Sequence, residues 1–76
     1  MTAAKKDRDI EKTYTRDQFV EKLRRLADCI ESGERFGIQI AGERIYVPKA
    51  AIFNVEHERE GDEEEIEFQV KWNSAR

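Results

Sequence analysis

Phe19, Leu23, Leu26, Ala27 and Ile30 recur at spacings of i, i+4, i+7, i+8 and i+11, which draws one apolar stripe along an α-helix. Glu21, Arg24, Arg25, Asp28 and Glu31 fall largely on the other side. Thr15 and Gln18 stand in capping-box spacing, so each can satisfy a backbone donor that the first turn leaves unpaired. Tyr14 and Phe19 occupy the positions of a hydrophobic staple across that start. Gly33 supplies the left-handed residue that stops a helix.

Beyond Gly33 the period changes from 3.6 to 2. Phe36, Ile38 and Ile40 alternate with Gly37 and Gln39, and Ile45 and Val47 alternate with Arg44 and Tyr46. A two-residue turn at Gly42-Glu43 would set Ile40 against Ile45 and Ile38 against Val47, all on one face. Pro48 lacks a ladder donor and ends that strand. A second turn at Gly61-Asp62 pairs Val55 with Phe68, Phe53 with Val70, His57 with Ile66 and Ala51 with Trp72. Trp72 thereby closes the core opposite a small residue. The pattern predicts an α+β domain: one N-terminal helix packed on one face of a four-stranded antiparallel meander sheet.

With 76 residues the chain holds one domain, expected over residues 10–73 between a disordered leader (1–9) and a frayed C-terminus (74–76). Such a chain buries roughly 60% of its unfolded surface, so the core is thin. Charge density is high, at 41% of residues, but the ordered apolar pattern argues for a fold. No apolar run approaches the roughly 20 residues of a membrane span, and the polar start is no signal peptide. A lone Cys29 makes no internal disulfide, which fits a cytoplasmic protein.

Residues 1–50 carry a net charge of +2 and residues 51–76 carry −5. The basic groups gather only at Lys5-Lys6-Arg8, diluted by Asp7, Asp9 and Glu11, and at Arg24-Arg25. A nucleic-acid binder concentrates positive charge on one face; here the concentration is negative. The register that makes one face apolar places Glu60 opposite Glu63, Glu58 opposite Glu65 and Glu56 opposite Glu67 on the other. Like charges directly opposed across a sheet are destabilising. Three readings follow: a solvated hairpin tip that blunts an edge against aggregation, a docking face for a basic partner, or a divalent-cation site. The last lacks the spaced ligands and glycine of a calcium loop. Tyr46, Ile52 and Ala41 share this outer face, with Arg44 and Lys71 nearby, as a small apolar patch rimmed by charge.

Nothing here assembles into catalytic machinery. His57 has Glu56 and Glu58 as chain neighbours, but in a strand those point to the opposite face. Cys29 lies near the C-terminal end of the helix, where the dipole opposes a thiolate. One Cys and one His make no standard zinc set, and the four glycines form no phosphate loop or nucleophile elbow. No cofactor, metal or catalytic residue is expected.

Three stretches resemble the amphi-Trp domain, a short bacterial and archaeal family. They are Thr15-Arg16-Asp17-Gln18 through Leu23-Arg24-Arg25-Leu26-Ala27-Asp28 to Gly33, then Gly42-Glu43-Arg44-Ile45-Tyr46-Val47-Pro48, and the closing Glu65-Ile66-Glu67-Phe68-Gln69-Val70-Lys71-Trp72. The resemblance runs from Tyr14 to Trp72 and implies a fold but no assigned activity and no catalytic residues. The functional expectation is a small cytoplasmic, non-catalytic protein-interaction module. It uses the uncovered acidic sheet face through Glu56, Glu58, Glu65 and Glu67, flanked by Arg44, Tyr46 and Ile52, toward a protein partner or a second copy. The alternative is weak nucleic-acid association through the basic tail and Arg24/Arg25.

Overall fold

The computed structural model describes residues 7–74 and holds one helix and four antiparallel strands. The helix α1 spans Arg16–Ser32 and opens on the expected capping box. Thr15 Oγ1 accepts from the Gln18 backbone N–H at 3.2 Å, and Gln18 Oε1 accepts from the Thr15 N–H at 3.1 Å. At the other end Gly33 takes φ +73°, the Gly33 N–H donates to Ile30 O, and the Glu34 N–H donates to Cys29 O. These two bonds form a Schellman motif, which satisfies the last carbonyls and turns the chain toward the first strand.

The strands are β1 (Phe36–Ile40), β2 (Glu43–Val47), β3 (Ile52–Glu60) and β4 (Glu63–Lys71). The α+β class and the element order match the pattern. The ladder, however, is divided: β1 pairs with β2 and β3 pairs with β4, in two separate two-stranded sheets. The division falls at Pro48, which has no N–H to donate, and at a turn in which the Ala51 N–H donates to Pro48 O at 3.2 Å. That turn leads the chain away from β2 before β3 begins.

The first register also differs from expectation. The turn is Ala41-Gly42, so Ile38 faces Ile45, Phe36 faces Val47 and Ile40 faces Glu43. Ala41 at φ +48° and Gly42 at φ +85° give the two consecutive positive angles of a type I′ turn, whose twist matches that of the strands. Each partner moves by two positions, so the side chains keep their faces and the apolar set survives the change. The second hairpin has the expected register throughout, from Ile52 against Lys71 to Glu60 against Glu63. By continuation Ala51 stands across from Trp72, just beyond the ladder.

Among the described residues only Phe36 (5% exposed) and Ala51 are buried, and α1 lies against β1. The Arg25 guanidinium sits 4.9 Å over the Phe36 ring and donates to Gly37 O at 2.8 Å, clamping the helix to that strand. Of the leader expected over residues 1–9, residues 1–6 lie outside the described part. Arg8 donates to the Glu43 carboxylate at 2.7 Å and to Ile40 O at 2.9 Å, a tie to the first turn. The helix thus covers the first hairpin, while the second projects from the body with both faces largely exposed.

Candidate functional site

The second hairpin separates its residue types by strand parity. One face carries Phe53, Val55, His57 and Arg59 across from Val70, Phe68, Ile66 and Glu64. The other carries Glu56, Glu58 and Glu60 across from Glu67, Glu65 and Glu63, continued toward the base by Ile52 and Lys71. The four glutamates singled out from the sequence therefore stand together as two cross-strand pairs. Carboxylate oxygens of Glu56, Glu58 and Glu67 lie within 4.8 Å of one another. The Gln69 side-chain amide donates to Glu67 at 2.8 Å. At the tip a shallow cleft of about 230 Å³ is lined by glutamates alone: Glu58, Glu60, Glu63, Glu64 and Glu65.

Crowding of like charge is visible in the acidity of one member. The Glu65 carboxyl is lifted above its usual 4.5, first by a hydrogen bond with Glu67 and by its charge, then by lost hydration and by Glu58. A carboxyl raised on folding binds its proton more tightly in the folded chain than in the unfolded one. Stability therefore rises as pH falls from neutral through the raised value, and is lost again as pH climbs back through it. We expect the thermal midpoint to increase on mild acidification, and Glu65→Gln to flatten that increase. A midpoint that is level or falls over the same range would show that the stripe imposes no strain.

Arg44, Tyr46 and Ile52 are not all gathered into this face. Ile52 shares it, 63% exposed, but Arg44 and Tyr46 belong to the other ladder. Tyr46 has two cations close to its ring, the Arg35 guanidinium at 4.1 Å and the Arg44 guanidinium at 5.5 Å. The ring lies over Gly37 on the paired strand, where an added Cβ would stand 2.8 Å from Tyr46 Cε1. Arg35 was not marked by the sequence pattern; a glycine inside a strand, facing an aromatic residue, is the signal for such a close approach. Trp72 is half-buried, and lines an open groove with Arg35, Tyr46, Pro48 and Ala50 rather than closing a core.

The reactive residue types are held in structural contacts. His57 Nε2 lies 2.9 Å from Glu64 Oε1, which also accepts from Arg59 at 3.0 Å, forming an exposed trio near the tip. Cys29 is half-buried in a groove of about 190 Å³ with Ile30, Gly33, Phe36, Val47 and Phe53, which none of that trio lines. Of the basic groups considered for nucleic acid, Arg8 is paired with Glu43 and Arg25 is spent on Phe36 and Gly37 O. Lys5 and Lys6 lie outside the described residues. Among the described residues no helix is long and apolar enough to cross a membrane.

No curated protein and no solved structure matches this chain. A family model does: that of the Amphi-Trp domain, over residues 1–76. The match takes in the capped helix, the Arg44–Pro48 segment and the alternating strand that runs out to Trp72, and on that full coverage the chain belongs to the Amphi-Trp domain family.

Proposed function

We propose that this domain is a small, non-catalytic, cytoplasmic protein-interaction module that receives a basic partner on the acidic face of β3 and β4. The observation that carries this reading is the uncovered glutamate stripe itself. Four carboxylates are held at short range without a neutralising cation among the described ion pairs on that face, at a cost reflected in the acidity of Glu65. A cationic surface relieves that repulsion on docking and is steered toward it at a distance. The non-catalytic part rests on the placement of His57 and Cys29 in different regions, each in structural contacts.

Reversing Glu56, Glu58, Glu65 and Glu67 together to lysine should weaken capture of the partner by tenfold or more, about 1.4 kcal/mol. The companion change of the same four residues to glutamine should lose capture too, while melting no lower than the parent because it removes repulsion. Affinity purification of the three proteins side by side, with quantitative mass spectrometry of what each retains at low and moderate salt, reads the result. A stoichiometric partner kept equally by all three would place binding elsewhere.

A further inference from the structure

We infer that the opposite, apolar face of the second hairpin is a homodimer interface, so that a second copy of this chain completes the core. The inference rests on the reading of the domain as an interaction module, but it uses the other face of the hairpin and a different partner. Phe53, Val55, Ile66 and Phe68 line this face and are 53%, 63%, 66% and 69% exposed. Among the described residues no helix or strand packs over Val55, Ile66 and Phe68, and Phe53 alone reaches the groove beside the helix end: α1 is engaged with β1, and β3 and β4 pair only with each other. A lone two-stranded hairpin is marginally stable in water at best, and this one also opposes glutamate to glutamate at three positions. Its nine-residue strands need cover on the apolar side.

Area and shape say how much cover is missing. The chain exposes 7313 Å², against roughly 4,900 Å² expected for a folded monomer of this mass. Its radius of gyration is 14.4 Å, against about 11 Å for a compact chain of this length. Residues 7–15 ahead of the helix, nearly all exposed, and the projecting hairpin both add to the excess. A standard interface takes roughly 800 Å² from each partner, which the excess can supply.

Charge selects a second copy as the occupant. A two-fold interface brings a patch against itself, so the patch must be self-complementary. The acidic face fails that test, because it would meet its own negative charge. The apolar face meets it. Its centre is uncharged, and its outer end carries both signs, with Arg59 and His57 gathered on Glu64. An apolar centre with a polar rim is the usual anatomy of an interface. Packing two such hairpins face to face also leaves both glutamate stripes pointing outward.

The test is sedimentation equilibrium of the purified full chain, from nanomolar to high micromolar concentration. The expected mass is twice 9.0 kDa at the upper end, falling toward 9.0 kDa on dilution. Phe68→Glu should hold the mass at the lower value while circular dichroism retains the helix. If that variant unfolds, isotope-filtered NMR of mixed labelled and unlabelled parent protein decides, through cross-copy contacts among Phe53, Val55, Ile66 and Phe68. A parent that stays at 9.0 kDa throughout, or a dimer whose cross-copy contacts involve other residues, overturns the inference. A monomer that still captures a partner through the glutamates would sink the dimer alone. A dimer whose partner capture ignores those glutamates would sink only the acidic-face reading.

Discussion

Phe36→Ala should bring the domain to the edge of unfolding at room temperature. Phe36 is 5% exposed, and among the described residues only Ala51 is buried with it. It sits where the helix, β1 and the base of the second hairpin meet: its groove is shared with Ile30, Val47 and Phe53, and Arg25 covers its ring. Truncating a buried phenylalanine costs about 3–5 kcal/mol through lost transfer free energy and the cavity left behind. A chain of this length has roughly 4–11 kcal/mol in total. Eleven large apolar side chains among the described residues are 38% or more exposed, so few neighbours stand ready to close around the gap. The thermal midpoint, followed by circular dichroism, should fall by roughly 15 °C or more. A fall of only a few degrees would mean that the helix and the first hairpin do not depend on each other.

The second large effect is expected at the end of the helix. Gly33→Val forces a β-branched residue to adopt φ +73°, a conformation that costs an ordinary L-residue about 1–2 kcal/mol and a β-branched one more. Space is not the obstacle, since no atom lies within 4 Å of an added Cβ. The cost is backbone strain, or loss of the two bonds that Gly33 and Glu34 donate to Ile30 and Cys29. Losing them releases the turn that delivers Phe36 to its site three residues later. Gly33→Asn separates these causes, because asparagine tolerates the left-handed region. Chemical denaturation should show a loss of about 2 kcal/mol for valine and much less for asparagine. Equal losses would assign the effect to something other than backbone angle.

The helix was legible because its signals are local: Thr15, Gln18 and Gly33 mark its ends whatever else the chain does. The second hairpin was legible because Gly61-Asp62 admits a two-residue turn, and the long alternation on both sides fixes parity. The first hairpin is less legible because its glycine suits either position of a two-residue turn. The fold places Ala41 at a positive φ that alanine seldom adopts, and only matching of turn and strand twist favours that choice. Division of the sheet was foreshadowed by Pro48, yet its extent depends on how residues 48–51 turn, and no periodicity encodes that. The acidic pairs of the candidate site came directly from register arithmetic. The Arg35–Tyr46–Arg44 stack did not, since it depends on the space above Gly37.

The division into hairpins also bears on how fast the chain reaches its structure. Every strand pairs with its immediate neighbour in sequence, each across a two-residue turn, and the helix closes on itself. Contact order is therefore low, and low contact order goes with folding in microseconds to milliseconds. Elementary helix and hairpin formation lie in the microsecond range. Acquisition of the monomeric fold is then first-order and quick, while any step that joins two copies is second-order and slows with dilution. At low protein concentration the chain would dwell with Phe53, Val55, Ile66 and Phe68 in water, and the glutamates on the reverse face would keep such half-finished molecules apart until a matching face arrives.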